Sequence, residues 1–215
     1  MNIYKSLFLG LVCSAGMHCT FAQTTVWNPD NQNGTFTNPI MWGDWPDPDL
    51  IRVDDKFYLV STSMHYVPGC PIAVSEDLVN WEMAGYALDR YDEDPKYDMQ
   101  GGNLYLNGAW ATTIRHHNGK FYVGFCTPYG WGRETGHFSI CIADDVKGPW
   151  ERTIFPEYLY DPGLFFDEDG KVYVVHGQGT LYLTELNSDV KSVKGKPVKI
   201  LSLIHISEPT RPISI

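Results

Sequence analysis

The sequence predicts an all-β repeat fold, a β-propeller, and three observations carry that expectation. A turn signal running into an apolar-aromatic strand recurs as Asp54-Asp55-Lys56-Phe57-Tyr58, Asn118-Gly119-Lys120-Phe121-Tyr122 and Asp169-Gly170-Lys171-Val172-Tyr173. The lysines of the three copies lie 64 and 51 residues apart. That is too long for a solenoid repeat and close to one four-stranded propeller blade with variable loops. Between the copies, short apolar runs such as Phe57–Ser61 and Cys70–Val74 are separated by Asp, Gly, Asn and Pro, with no sustained 3.6-residue period.

The first 22 residues read as an export signal: Lys5 ahead of an apolar run from Leu7 to about Met17, then the small-residue site Thr20-Phe21-Ala22. The run is shorter than the ~20 residues a membrane-spanning helix needs. The expectation is therefore cleavage after Ala22, a periplasmic or extracellular product, and no membrane association afterwards. Residues 23–40, rich in Asn, Thr, Pro and Gly, form an extended lead-in.

Residues 41–200 are the expected incomplete propeller of about three blades. The first two close on an acidic turn followed by a Trp, at Ser75–Glu82 and Ala143–Glu151, so Trp81 and Trp150 supply packing area rather than chemistry. Between them, Ala87–Asn107 is a polar connection long enough to shape a pocket. Its Asp94-Pro95 falls outside the repeat positions and reads as an ordinary turn. The third copy runs from Val172 to Ile200. Residues 201–215 lack a blade ending and resemble the read-through translation of a sequencing-library adapter, so they are expected to be foreign. Propellers close with typically four to eight blades, so three argue for a fragment.

In 215 residues, 43% hydrophobic and 14% aromatic content supply ample core, while a formal charge of −10 without a basic cluster argues against nucleic acid or anionic membranes as partners. A neutral partner suits that field better, and a monomer is expected. Signal cleavage would leave Cys70, Cys126 and Cys141, an odd count unlike a disulfide framework, so buried thiols are expected; Cys126 and Cys141 could pair if they fell on neighbouring strands. No His/Cys spacing suggests a metal, and no cofactor is expected.

About ten residues before the lysine, the first and third copies carry Asp-Pro, in Trp45-Pro46-Asp47-Pro48-Asp49-Leu50 and Tyr160-Asp161-Pro162-Gly163-Leu164. Taken singly, each is a common turn initiator. Equivalent positions in a radial fold converge on one axis, and two buried aspartates facing that axis would be costly without a role. Separated carboxylates in a cleft suit inverting glycoside hydrolysis: one activates water, an acid protonates the leaving oxygen, and a further carboxylate can tune the acid.

At these residues the chain resembles glycoside hydrolase family 43. The likeness runs in order through Asn38-Pro39-Ile40, Trp45–Arg52, Tyr58–Thr62, Pro68-Gly69, Ser75–Trp81, Gly108-Ala109-Trp110-Ala111 and Tyr160–Phe165. It implies a five-bladed propeller of inverting enzymes acting on arabinose- and xylose-containing carbohydrate. It also implies Asp47 as general base and Asp161 as the aspartate that modulates and orients the acid, with that acid, a glutamate, lying beyond the third blade. Trp110 stands where the family reads Trp-Ala-Pro, here Trp-Ala-Thr, and suits a pocket wall or blade packing equally. Met64, His65 and Tyr66, leaving the second strand of the first blade, line the sugar subsite or form a plain loop. A non-catalytic carbohydrate-binding propeller is the rival reading. An invertase-like one is disfavoured, because Trp27–Gly34 has the order Asn-Pro-Asp and precedes the first repeat. A structural calcium in the complete protein and the choice between xylose and arabinose are left open by the sequence.

Overall fold

The computed structural model describes residues 27–130 and 135–202. These form three antiparallel four-stranded sheets, each in simple up-and-down order. Blade 1 comprises β1 (Asp49–Val53), β2 (Lys56–Val60), β3 (Gly69–Ser75) and β4 (Glu82–Leu88). Blade 2 comprises β5 (Thr112–His117), β6 (Lys120–Pro128), β7 (Gly136–Ala143) and β8 (Glu151–Phe155). Blade 3 comprises β9 (Gly163–Phe166), β10 (Val172–His176), β11 (Thr180–Leu186) and β12 (Val193–Ser202). The all-β, partial-propeller expectation is met, and each recurring turn joins the first two strands of its blade.

Register makes the repeat quantitative. Asp49 pairs with Val60, Thr113 with Gly124 and Gly163 with Val175, each partner lying four residues after its blade's turn lysine. Alternation along the strands then gives each blade two faces. Val60, Ile72, Ala87, Ile114, Val123 and Cys141 share the core between blades 1 and 2, with Trp150 packed against it. Tyr122, Phe138, Ile140, Phe155, Leu164 and Val174 form the core between blades 2 and 3. Burying such side chains contributes roughly 1.5–3 kcal/mol each, so these two seams hold the blades together.

Asp49 adds a polar lock across the first seam. Its Oδ2 accepts from the Thr113 hydroxyl at 2.9 Å, the Ile114 N–H at 2.9 Å and Arg115 Nη1 at 2.6 Å. The Thr113 hydroxyl oxygen in turn accepts the Leu164 N–H at 3.3 Å. The innermost strands of all three blades are thus strung on one chain of hydrogen bonds.

The blade-closing turn of blade 1 is built by Ser75 and Asp77. The carboxylate of Asp77 accepts from the Val79 and Asn80 N–H groups and from the Asn80 side chain, and the Asn80 bonds above all hold it far below the usual carboxylate range. Asp94 also proves structural: it caps a 3-10 helix at Pro95–Asp98, its carboxylate accepting the Lys96 N–H at 2.9 Å.

All three cysteines among the described residues are free and buried. Cys126 and Cys141 do lie on neighbouring strands, but Cys126 pairs with Phe138 and Cys141 with Val123, so register separates them. Burial pushes the Cys126 thiol up to about 11 and Cys141 up to about 12. The last strand continues to Ser202, with Leu201 paired to Leu181, so it overlaps the first two residues of the segment expected to be foreign. The segment expected to be an export signal, 1–22, lies outside the described residues, as do residues 203–215.

Candidate functional site

Asp47 and Asp161 occupy the same place in their blades. Each stands two residues before the strand residue that pairs four positions beyond the turn lysine, and in blade 2 that place is taken by Ala111. Both aspartates have left-handed backbones, φ 45° at Asp47 and φ 55° at Asp161, and both precede a proline. Positive φ is uncommon outside glycine, and a following proline disfavours helical backbone further. Strain of this kind persists only where the surroundings enforce it, and it clusters at functional sites.

The enforcing bonds are equivalent too. The Thr62 N–H donates to the Pro46 carbonyl at 3.0 Å and the Gly177 N–H donates to the Tyr160 carbonyl at 2.7 Å, each pinning the residue just before the aspartate to the end of its blade's second strand. In blade 2 the corresponding bond is reversed, with Trp110 N–H donating to the Cys126 carbonyl at 2.9 Å. Ser61 Oγ adds a bond to the Pro46 carbonyl at 2.7 Å, and Thr62 Oγ1 donates to Asp47 Oδ2 at 3.1 Å. Below Asp161, its backbone N–H points at the buried Cys126 thiol; burial raises that thiol's pKa, the bond from the Asp161 N–H lowers it in part, and the Asp161 charge raises it by a smaller amount.

One expectation needs correction: both aspartates are exposed, not buried. Three blades do not enclose a channel, so a desolvation cost cannot weight the argument. Equivalence of position and of backbone strain carries it instead.

Met64, His65 and Trp110 are brought together, and the connection between blades 1 and 2 does it. Met64, itself at φ 51°, forms a two-way bridge with Ala109, N–H to carbonyl at 2.9 Å in each direction. The Tyr91 hydroxyl donates to the Met64 carbonyl at 2.8 Å and accepts the Ala109 N–H at 2.6 Å. Gly108 is required by this closeness: a Cβ there would lie 1.9 Å from the Met64 carbonyl oxygen. Leu106 then holds both predicted sugar-facing residues. Its N–H donates to His65 Nδ1 at 3.3 Å and its carbonyl accepts from Trp110 Nε1 at 2.7 Å. Tyr66 is exposed and packs its ring on His65, centroids 4.4 Å apart.

Beneath the connection lies a charged group of a different kind. Arg152 on β8 binds Glu93 through two nitrogens, at 2.7 and 3.1 Å, and packs over the Phe125 ring. Burial works to raise the Glu93 carboxyl, but the hydrogen bonds and charge of Arg152 outweigh it and hold the group below its ordinary value. His137, buried beside them, is lowered to about 4 by burial and then by the Arg152 charge.

A cavity of about 270 Å³ is lined by His65, Lys96, Tyr97, Met99, Asn103, Leu104 and Tyr105. A larger one, about 850 Å³, has Trp27, Trp42, Trp45 and Trp81 in its walls and contains none of the predicted site residues. It reaches Ala73 and Met83 on the side of blade 1 turned away from blade 2, so size does not mark the site here. Among the described residues no group of three or more His, Cys, Asp and Glu side chains could hold a metal ion.

Sequence reasoning missed Asp49, Thr62, Tyr91, Leu106 and Tyr105. Asp49 stood in plain view as the second acid of the Asp47-Pro48-Asp49 motif. The others are recognisable only through contacts made at long range.

Comparison with known proteins agrees with the partial-propeller fold. The family described as Glycosyl hydrolases family 43 matches residues 36–210. A β-xylosidase of Formosa agariphila is 35% identical over 159 residues, covering 72% of this chain and 26% of that protein. A non-reducing end α-L-arabinofuranosidase of Bacteroides ovatus is 36% identical over 181 residues, covering 83% of this chain and 33% of that protein. Among solved structures, a bifunctional GH43-CE protein of Bacteroides eggerthii superposes with TM-score 0.70 at 38% identity, over 77% of this chain and 21% of that one. The chain therefore spans at most a third of the length of these relatives.

Proposed function

The chain belongs to glycoside hydrolase family 43, and from that membership we propose that it is part of an exported glycosidase that cleaves O-glycosyl bonds in arabinose- and xylose-containing plant glycans with inversion. The observation that carries the reading is the pair Asp47 and Asp161, set at equivalent places in blades 1 and 3 with the same strained backbone. Three of the propeller's five blades are present in it.

In this reading Asp47 takes a proton from water as that water attacks the anomeric carbon from the face opposite the leaving group. Thr62 holds the carboxylate's orientation through its hydroxyl. Asp161 raises and orients the general acid, a glutamate contributed from beyond the third blade. Trp110, His65 and Met64 present the sugar-facing surface. Residues 1–22 direct export, and the cleaved product acts as a monomer on neutral carbohydrate. Blades 1 to 3 by themselves, without that glutamate, are not expected to turn substrate over.

The test is to express the full-length gene product and follow, by proton NMR, the anomer first released from xylo- and arabino-oligosaccharides. Inverted product that disappears in Asp47→Ala, with substrate affinity retained, supports the reading. Near-normal turnover in Asp47→Ala would remove the base assignment, and a full-length protein that binds these oligosaccharides without cleaving them would establish the non-catalytic carbohydrate-binding alternative.

A further inference from the structure

The connection between blades 1 and 2 does more than fasten Met64 to Ala109. Its 3-10 helix Pro95–Asp98 and the turn at Asn103–Tyr105 wall a cavity of about 270 Å³ whose remaining side is His65. Three rings stand in a row there: His65 lies 4.4 Å from Tyr66 and 4.3 Å from Tyr105, centroid to centroid. The two tyrosines at the ends are 66% and 61% exposed, so the row is assembled yet its ends remain open to solvent. The Leu106 N–H fixes the histidine through Nδ1. Tyr97 in the cavity wall stacks on Tyr91, centroids 4.4 Å apart, and Tyr91 is anchored in the blade 1–2 core. The cavity is thus held by the scaffold, not left to a loose loop.

Its chemistry favours a neutral polyhydroxylated ring. Aromatic faces carry negative charge density and attract the slightly positive C–H face of a sugar, while offering nothing to an anion. Lys96 is offset by the Asp94 carboxylate at 4.0 Å, and Asp98 by Arg90 at 2.8 Å, so no unbalanced charge selects an ion. Burial pushes the Tyr97 hydroxyl well above its ordinary pKa, which keeps it a donor, and the Asn103 amide adds donor and acceptor capacity for sugar hydroxyls. The volume falls just below the ~300–1,000 Å³ usual for drug-sized ligands, which suits one ring rather than a chain.

Position supplies the rest. His65 is three residues from Thr62, whose hydroxyl holds Asp47, a separation of at most ~11 Å along the chain. We infer that this cavity, with Tyr105 as its stacking platform, is a subsite for the sugar unit adjoining the one attacked at Asp47. The inference rests on the glycosidase reading above and adds to it that oligosaccharides are held by two rings at once.

The test uses the full-length protein carrying Asp47→Ala, so that bound oligosaccharide survives, with titration calorimetry against xylose, xylotriose, arabinose and arabinotriose. Adding Tyr105→Ala is expected to weaken trisaccharide binding about tenfold while leaving the matching monosaccharide unchanged, and Tyr105→Phe is expected to restore it. Because Tyr105 is exposed, its loss should leave the melting temperature in place, which is checked alongside. Trisaccharide affinity within twofold of the parent, or an equal loss for monosaccharide and trisaccharide, would overturn the subsite. A parent that binds none of the four sugars would overturn the glycosidase reading itself, and the subsite with it.

Discussion

Thr62 donates its hydroxyl hydrogen to Asp47, Oγ1 to Oδ2 at 3.1 Å, while its own N–H fixes the Pro46 carbonyl one residue upstream. One residue just past the end of β2 thereby sets both the backbone and the side chain of the proposed base. Removing only the hydroxyl should separate the two effects. Thr62→Val in the full-length enzyme is expected to lower kcat about 5- to 10-fold, the equivalent of roughly 1 kcal/mol in the barrier, with KM little changed. Thr62→Ser should recover most of the rate. A Val variant with parental kcat would show that the carboxylate needs no such support.

Asp49, two residues on, has a different task. It is the acceptor for three donors of blade 2, and its side chain is 27% exposed. Asp49→Ala leaves the Thr113 hydroxyl, the Ile114 N–H and the Arg115 guanidinium without their shared partner. A destabilisation of about 2–3 kcal/mol is expected, read from urea unfolding of the full-length protein. Monosaccharide affinity in the folded fraction should hold. If Asp49→Ala instead abolished turnover without loss of stability, the aspartate would have to be moved into the reacting group.

Asp47 and Asp161 were legible because the repeat itself marks them: the same turn, the same strand and the same Asp-Pro recur in sequence, and the register of β1 and β9 turns that recurrence into equal positions in space. The blades were legible for the same reason. Leu106, Tyr91 and Tyr105 were not, since what they do depends on partners 41, 27 and 40 residues away. A loop without periodicity gives no signal of which residue it will bring to which. The supposed burial of the two aspartates was wrong for a related reason: exposure depends on what surrounds a blade end, which no local motif encodes.

Gly108 tests whether that loop is held as tightly as its hydrogen bonds imply. A methyl group there would sit 1.9 Å from the Met64 carbonyl oxygen, 2.6 Å from its carbonyl carbon and 2.8 Å from the Tyr91 hydroxyl, two of the three being backbone atoms with little room to yield. Gly108→Ala is expected to cost about 3 kcal/mol or more, because the bridge between Met64 and Ala109 must open. Thermal unfolding measures the cost, and loss of trisaccharide binding should accompany it, since His65 and Trp110 are hung from the same segment. An unchanged melting temperature would mean that the two backbones can part without consequence.

The last prediction concerns acid. His137 is buried, with Tyr129 Oη 3.0 Å from Nδ1 and Arg152 Nη2 3.2 Å from Nε2. Arginine can only donate, so Nε2 must accept and the imidazole proton sits on Nδ1, facing the Tyr129 hydroxyl. Protonating Nε2 would set an N–H against the guanidinium, and the Glu93 carboxylate, 3.6 Å from that nitrogen, relieves only part of the repulsion. Burial and then Arg152 accordingly lower the group from 6.5 to about 4. The unfolded chain therefore binds a proton between pH 6.5 and 4 that the folded chain refuses, and stability falls as pH falls through that window, by up to about 3 kcal/mol. Glu93, held below 4.5, adds a second loss in the same direction that begins only beneath that value. His137→Gln, which keeps an acceptor for Arg152 but cannot titrate, should flatten the decline between pH 6.5 and 4 and leave the loss due to Glu93 below 4.5 in place. Urea midpoints taken at half-unit pH intervals on both proteins would show it; parallel curves across the upper window would mean that His137 is not the group that titrates.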